Sequence, residues 1–341
     1  MYSESDIDDA VATGALSSEA AWRFRRHMAE RRAAPAADEE QFRLLTGFND
    51  VFVSIAIALL LAAVAGIGGV VAPPVGAAGV AGAAWLLAEY FTARRRMALP
   101  SIVLLGAFVG GVAAALVGLL AAAELGLSER AAALAGSGVA LLTAGAAWLH
   151  WRRFAVPITV AAGALAAVAV AVLLFVAVLP RAGDAVWAVL LLGGAGVFAL
   201  AMRWDLSDRE RRTRRADVAF WLHLAAAPLI AHPVFHMLGV FGRGVGVGTA
   251  LLVLALYVVF AVVALAVDRR ALLVSGLAYV LYALISLFRT AGALELSWAF
   301  TALVIGSALL TLSAFWQPMR RAVVARLGGW GERLPPVAAA A

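Results

Sequence analysis

The sequence predicts an all-α fold: a polytopic transmembrane helical bundle of about ten spans, preceded by a small cytoplasmic helical segment. Three observations carry this. Hydrophobic residues make up 64% of the 341 and charged ones 14%, with a mean hydropathy of +0.94. A water-soluble domain holds about 45–50% apolar and about 25% charged residues. Apolar runs of about 20 residues, the length that crosses the hydrocarbon core, recur from Val51 onward, and arginines gather in every second connection between them.

Residues 1–46 read as the cytoplasmic segment. Ser5 is placed to cap a first helix, Gly14 to break it, and Ser17 to cap a second through Ala21, Phe24 and Met28. Trp22, Phe24, Met28 and Phe42 are too few to bury a core, so the segment lies on the membrane or docks on the bundle. Arg32 to Glu40, with Pro35 among small residues, reads as a linker. The acidic start (Glu4, Asp6, Asp8, Asp9) is unlike a cleavable signal peptide, and the first apolar run is expected to act as an uncleaved insertion signal.

Ten spans follow within a transmembrane domain at 47–321, at 51–71, 75–93, 100–122, 131–151, 155–179, 185–203, 218–239, 245–267, 271–288 and 297–316. Pro100 and Pro157 fall in first turns, where a missing N–H costs nothing. Pro73 and Pro74 fall in the tight turn after the first span, and residues 322–341 form a cytoplasmic tail. All 27 basic residues other than histidine are arginines, and 23 lie on one side of the alternation against 4 on the other. The positive-inside rule then places both termini in the cytoplasm.

A duplication is also expected. ALLTAGAAWLHWRR (Ala140 to Arg153) and ALLTLSAFWQPMRR (Ala308 to Arg321) are identical at eight of fourteen positions. The third and ninth spans both open on an arginine pair (Arg95, Arg96; Arg269, Arg270), and the first and seventh on Asp-Val (Asp50-Val51; Asp217-Val218). Residues 48–153 and 216–321 would then be parallel copies of four spans, as in some transporter folds.

Ionisable residues inside a membrane are costly and point to function. Glu89 is read as an interfacial carboxylate paired with Arg94 to Arg96, and Asp50, Asp217 and Asp268 as helix-end groups, the first two complementing helix dipoles. The seventh span is the unusual one, with His223, His232 and His236 among the five histidines, and Pro228 and Pro233 within it. At 1.5 Å per residue His223 lies about 8 Å from the cytoplasmic end and His232 about 21 Å. His232 and His236, one turn apart, are weak metal candidates without an evident third ligand, and interhelical hydrogen bonding is the plainer role. The prolines should kink the helix and free carbonyls near Leu224 and Leu229, which protein or a water-lined cavity must satisfy. Ser275, Tyr279, Tyr282 and Ser286 form a polar face on the ninth span. The candidate pathway or pocket is thus His223, Pro228, His232, Pro233, His236, Tyr279 and Tyr282. Gly106, Gly110, Ala114 and Gly118 make a small-residue ladder suited to close helix contact.

The absence of cysteine excludes disulfides, thiolate metal sites and cysteine nucleophiles. No nucleotide-binding glycine loop, zincin signature or serine-hydrolase elbow is present, so no cofactor is expected. The basic charge serves membrane orientation and implies no nucleic-acid partner. IDDAVATGALSSEAAWRF (Ile7 to Phe24) resembles the domain-of-unknown-function family 2157 of bacterial membrane proteins, and SDRERRTRRADVAFWLHLAAAPLIAHPVF (Ser207 to Phe235) resembles hypothetical alphaproteobacterial proteins. The resemblance implies a bacterial inner-membrane location and lends no activity.

Three functions remain open. A transporter or permease-like protein for a small or lipidic molecule leads, on the repeat, the double-proline span and the polar face. A non-catalytic scaffold or envelope sensor follows, with membrane lipids around it and a cytoplasmic protein partner on residues 1–46. An intramembrane enzyme using His232 and His236 ranks below both.

Overall fold

The computed structural model describes residues 4–32, 48–181, 183–209, 211, 213–240, 246–290, 292 and 295–335. The linker beyond Arg32, together with Arg43, Arg212, Arg243 and the side chain of Ser275, lies outside the described residues. The chain divides into two compact units, one made by the N-terminal segment and one by everything from Arg43 to Val337.

The N-terminal unit holds α1 (Glu4–Ala12) and α2 (Ser18–Arg32). Gly14 turns the chain at φ +75°, a conformation glycine adopts without a Cβ clash. Ser17 caps α2 as expected, its Oγ accepting from the Ala20 N–H at 3.1 Å. Helix α1 already begins at Glu4, so Ser5 sits inside its first turn. Ala21 is buried, whereas Trp22 and Phe24 are exposed.

The second unit is all helix among the described residues. Its long helices are α3 (Phe48–Val71), α4 (Pro73–Ala88), α5 (Ala98–Ala122), α6 (Glu129–Phe154), α7 (Ile158–Val178), α8 (Ala185–Ser207), α9 (Arg214–Met237), α10 (Val247–Val267), α11 (Ala271–Thr290) and α12 (Ser297–Ala314). Each has the length and apolar composition of a membrane span; the chain is a multi-pass membrane protein. The short α13 (Trp316–Arg326) follows.

Three boundaries differ from expectation. Pro73 and Pro74 do not occupy a turn; they open α4 at its first two positions, where fixed φ suits a helix start. The second span ends in a π-helical turn, Glu89–Arg94. The tenth span stops at Ala314, and Trp316 begins a separate helix. The two matched segments therefore differ in shape. Helix α6 runs straight through its copy of the motif with Trp148 exposed, while α12 breaks within its copy and buries Trp316.

Lipid tails are as apolar as leucine, so helix association in a membrane rests on close packing of small residues. Alanine supplies about half of the buried apolar side chains. Helices α3, α4 and α5 share one cluster around Ile57, Leu61, Ala84, Ala88 and Leu104. Helix α9 contributes to the other three clusters, through Leu222, Ala227 and Phe235 among others. Of its most apolar 18 residues 56% are buried, against 41% for α11 and 28% or less for the other eight spans. It is the central helix of the second half.

Helix α9 runs without interruption through Pro228 and Pro233. Pro233 leaves the Leu229 carbonyl without its helical N–H. Gly194 of α8 covers that backbone: a Cβ added there would meet the Leu229 carbonyl carbon and oxygen at 2.8 Å. Gly194→Ala is expected to cost about 1–3 kcal/mol through overpacking, read as a lower melting temperature of the purified protein. Gly196, whose added Cβ meets nothing within 4 Å, should tolerate the same change; equal losses at both sites would disprove the close-approach account.

Candidate functional site

The candidate site grows from the turn that joins α8 to α9. Asp208 accepts from the Thr213 N–H (2.9 Å) and hydroxyl (2.7 Å), and the Thr213 Oγ1 caps α9 by accepting from the Arg215 N–H at 3.2 Å. This closure lays α9 back along α8 and sets His223 against Asp205. Asp205 sits in the last turn of α8, His223 a little over two turns into α9, and both are buried.

Arg269 arrives from the turn between α10 and α11. Asp268 ends α10 in the left-handed region (φ +57°), its N–H returning to the Ala264 carbonyl, a conformation aspartate tolerates better than most residues. That turn projects Arg269 inward. Its Nε donates to Asp205 Oδ2 at 3.1 Å, its Nη2 donates to Asp205 Oδ1, and Nη2 also reaches the Ala216 carbonyl at 3.2 Å. His223 Nε2 lies 2.8 Å from the same Asp205 Oδ2. A carboxylate paired with arginine only accepts, so Nε2 carries the hydrogen. The other ring nitrogen, Nδ1, is buried without a hydrogen-bond partner among the described residues.

Asp268 anchors a second set of contacts at the same arginine-rich end. Its carboxylate accepts from Arg211 Nη1 at 2.9 Å and from the Trp316 indole at 2.7 Å, with Arg320 Nε 3.5 Å away. Arg270 lies over the Trp316 ring at 4.8 Å. Arg320, 1% exposed, donates to the Pro335 carbonyl at 2.7 Å, and Arg209 donates to the Leu334 carbonyl at 2.8 Å. The adjacent residues Asp268 and Arg269 thereby join α8, α9, α13 and the chain beyond α13.

The structure separates the residues expected to line one pathway. His223 belongs to the ionic cluster. His232 lies in the other half of α9, its Nδ1 in hydrogen-bond contact with the Tyr279 hydroxyl at 2.6 Å. His236 stacks on Trp187 at 4.0 Å between ring centroids, and Tyr279 stacks on Phe235 at 4.3 Å. Pro233 is buried, whereas Pro228 and Tyr282 are exposed, so His232, His236 and Tyr279 form an aromatic cluster that those two do not join. Among the described residues no group of three histidine or acidic side chains is placed to hold a metal.

Two further features lie in the first half. Glu89 pairs with Arg153 of α6 through two hydrogen bonds, Nε to Oε1 being 2.9 Å, rather than with Arg94 to Arg96; the π-helical turn and the α6 end bring the two together. His150, fully buried, sits among Trp85, Phe108 and Phe154, with Nδ1 3.3 Å from the Thr159 hydroxyl. Beside them an open groove of about 520 Å³ lies between α3, α4 and α5, bordered by Gly69, Ala77, Gly106, Gly110 and Ala114. The glycine ladder of the third span divides accordingly. Gly106 and Gly110 face open space, while Gly111 packs on the Ala77 and Ala81 backbone and Gly118 on Pro74.

No family model, curated protein or solved structure matches the chain. The site is therefore read from its own chemistry.

Removing one member of a buried ion pair leaves an uncompensated charge, at a cost of about 3–5 kcal/mol. Arg269→Gln should therefore abolish or severely lower folded yield. Arg153→Gln breaks a pair whose side chains are 52% and 35% exposed and should cost no more than about 1 kcal/mol. Thermal unfolding of both variants in detergent checks the order; similar losses would mean that burial does not set the energetics.

Proposed function

We propose that the chain is a permease-like membrane protein for a lipidic molecule. The observation that carries this is the groove between α3, α4 and α5. It lies along helices with the composition of membrane spans and is bordered by glycine, alanine, valine and proline alone. Its volume falls in the range of about 300–1,000 Å³ typical of ligand pockets, and its lining offers an acyl chain dispersion contacts with no polar side chain to desolvate. The double-proline helix packs against α7, α8 and α11.

The location proposed is the bacterial inner membrane with both termini in the cytoplasm. The support is the 23-to-4 division of arginines and the clustering of Arg209, Arg211, Arg269, Arg270 and Arg320 around one end of the bundle. A parallel duplication is supported by the matched segments and by a shared habit: the third helix of each set packs on the first, second and fourth, α5 in one and α11 in the other. A second reading, a scaffold acting through residues 1–46, is favoured by the separate compact unit that α1 and α2 form. Its test is co-purification of a cytoplasmic protein that is lost when residues 1–46 are removed.

The groove reading is tested with a photoactivatable fatty acid on the protein in native membranes. Crosslinks are expected on the peptide spanning Gly106 to Ala114. A Cβ added at Gly110 meets nothing within 4 Å, so Gly110→Leu should place its side chain in the groove and reduce labelling at least several-fold while the protein stays folded. Labelling spread evenly over all ten spans, and indifferent to Gly110→Leu, would defeat the proposal.

A further inference from the structure

Asp205 serves two donors at once. Its Oδ2 accepts from His223 Nε2 and from Arg269 Nε, at 2.8 and 3.1 Å. Arg269 holds an alternative acceptor in the Ala216 carbonyl. The His223 ring is wholly buried beside Phe198, with centroids 5.2 Å apart, and its Nδ1 has no partner among the described residues. The Asp205 carboxylate on Nε2 is an opposite charge that favours the protonated ring, and Nδ1 is the ring nitrogen left to take the proton.

We propose that His223 is a proton-binding site, and that a proton there loosens the Asp205–Arg269 pair tying α8 to the α10–α11 turn. With the ring neutral, the cluster holds one anion, Asp205, and one cation, Arg269. A proton taken from water forms the Nδ1–H bond, no other bond changes, and the ring becomes a second cation on the same carboxylate. Like charges this close repel strongly where water is excluded. The arrangement in which His223 keeps Asp205 and Arg269 withdraws separates them. A ligand shifts a population toward the state it binds better, so acid favours the parted arrangement and neutral pH the closed one.

Among the described residues, Arg211 is a further cation whose field reaches His223. Helix α8 presents Asp205 and the α10–α11 turn presents Arg269. Arg211 from the α8–α9 connection is held by Asp268, which Arg320 also approaches. Helix α7 carries no ionisable side chain, and the first on α11, Tyr279, belongs to the His232 cluster.

The chain has no cysteine, so spin labels can be placed at Leu206→Cys and Val274→Cys, both exposed positions on α8 and α11. Distances are measured by pulsed electron paramagnetic resonance on the full chain in nanodiscs, at about pH 8 and about pH 5, bracketing the histidine range. A longer-distance population should be present at the lower pH, reverse on return, and be lost in His223→Gln. An unchanged distribution overturns the proposal, as does a lengthening that survives His223→Gln. Should that variant not fold, ¹⁵N ring signals of a chain with His223 as its only histidine decide. Protonation over the pH range of the lengthening supports the site, and a ring neutral throughout overturns it.

Discussion

Arg269 places a guanidinium, 3% exposed, among helices whose buried apolar side chains are about half alanine. In a membrane, apolar contacts discriminate weakly, because lipid competes on equal terms for any leucine or valine. A buried ion pair does discriminate. Sliding α8 against α9, or the α10–α11 turn against either, strands Asp205 or Arg269 in a medium where a lone charge is costly. The register of the second half is fixed there, and the neighbouring Asp268 carries the constraint on to Trp316 and Arg320.

The central position of α9 follows from that constraint together with its own sequence. A span with two prolines has carbonyls that must be covered, and it meets that need by pressing against a neighbour with no side chain in the way. Gly194 provides the gap at Leu229. On the opposite half of the helix, Phe235, Tyr279 and the His232 contact fill the space with aromatic surface. Polar residues that the sequence groups together therefore belong to two separate sets of contacts along one helix.

The spans were legible because each is a long apolar run bounded by arginine, proline or glycine, and their ends fell within a few residues of expectation except where α12 breaks. His223, His232 and Tyr279 were legible as unusual residues at membrane depth. Their partners were not. Asp205 and Arg269 are 64 positions apart, each lies at the edge of an arginine-rich connection, and there a charged residue looks like ordinary loop composition. Only the fold reveals that Arg269, one of the pair after Asp268, turns inward to Asp205. Glu89 shows the same limit: the sequence offers three adjacent arginines, and the helix geometry selects a fourth, Arg153, 64 positions away.

Small residues carry the remaining ambiguity. Gly110 and Gly111 are neighbours that both line the groove, yet a Cβ added at Gly110 meets nothing within 4 Å, while one at Gly111 would sit 2.9 Å from the Ala77 carbonyl oxygen of α4. Adjacent helical residues point about 100° apart, so a helix rich in glycine and alanine presents small residues on every side. Periodicity alone cannot tell the side that closes on a neighbour from the side that borders an open groove. What separates them is the helix opposite. The α3–α4 turn brings α4 against the Gly111 and Gly118 side through Ala77 and Pro74, and leaves the Gly106 and Gly110 side without a side chain large enough to fill it. The same compositional bias thus makes both the contact and the void, and the void exists because close packing was satisfied one residue away.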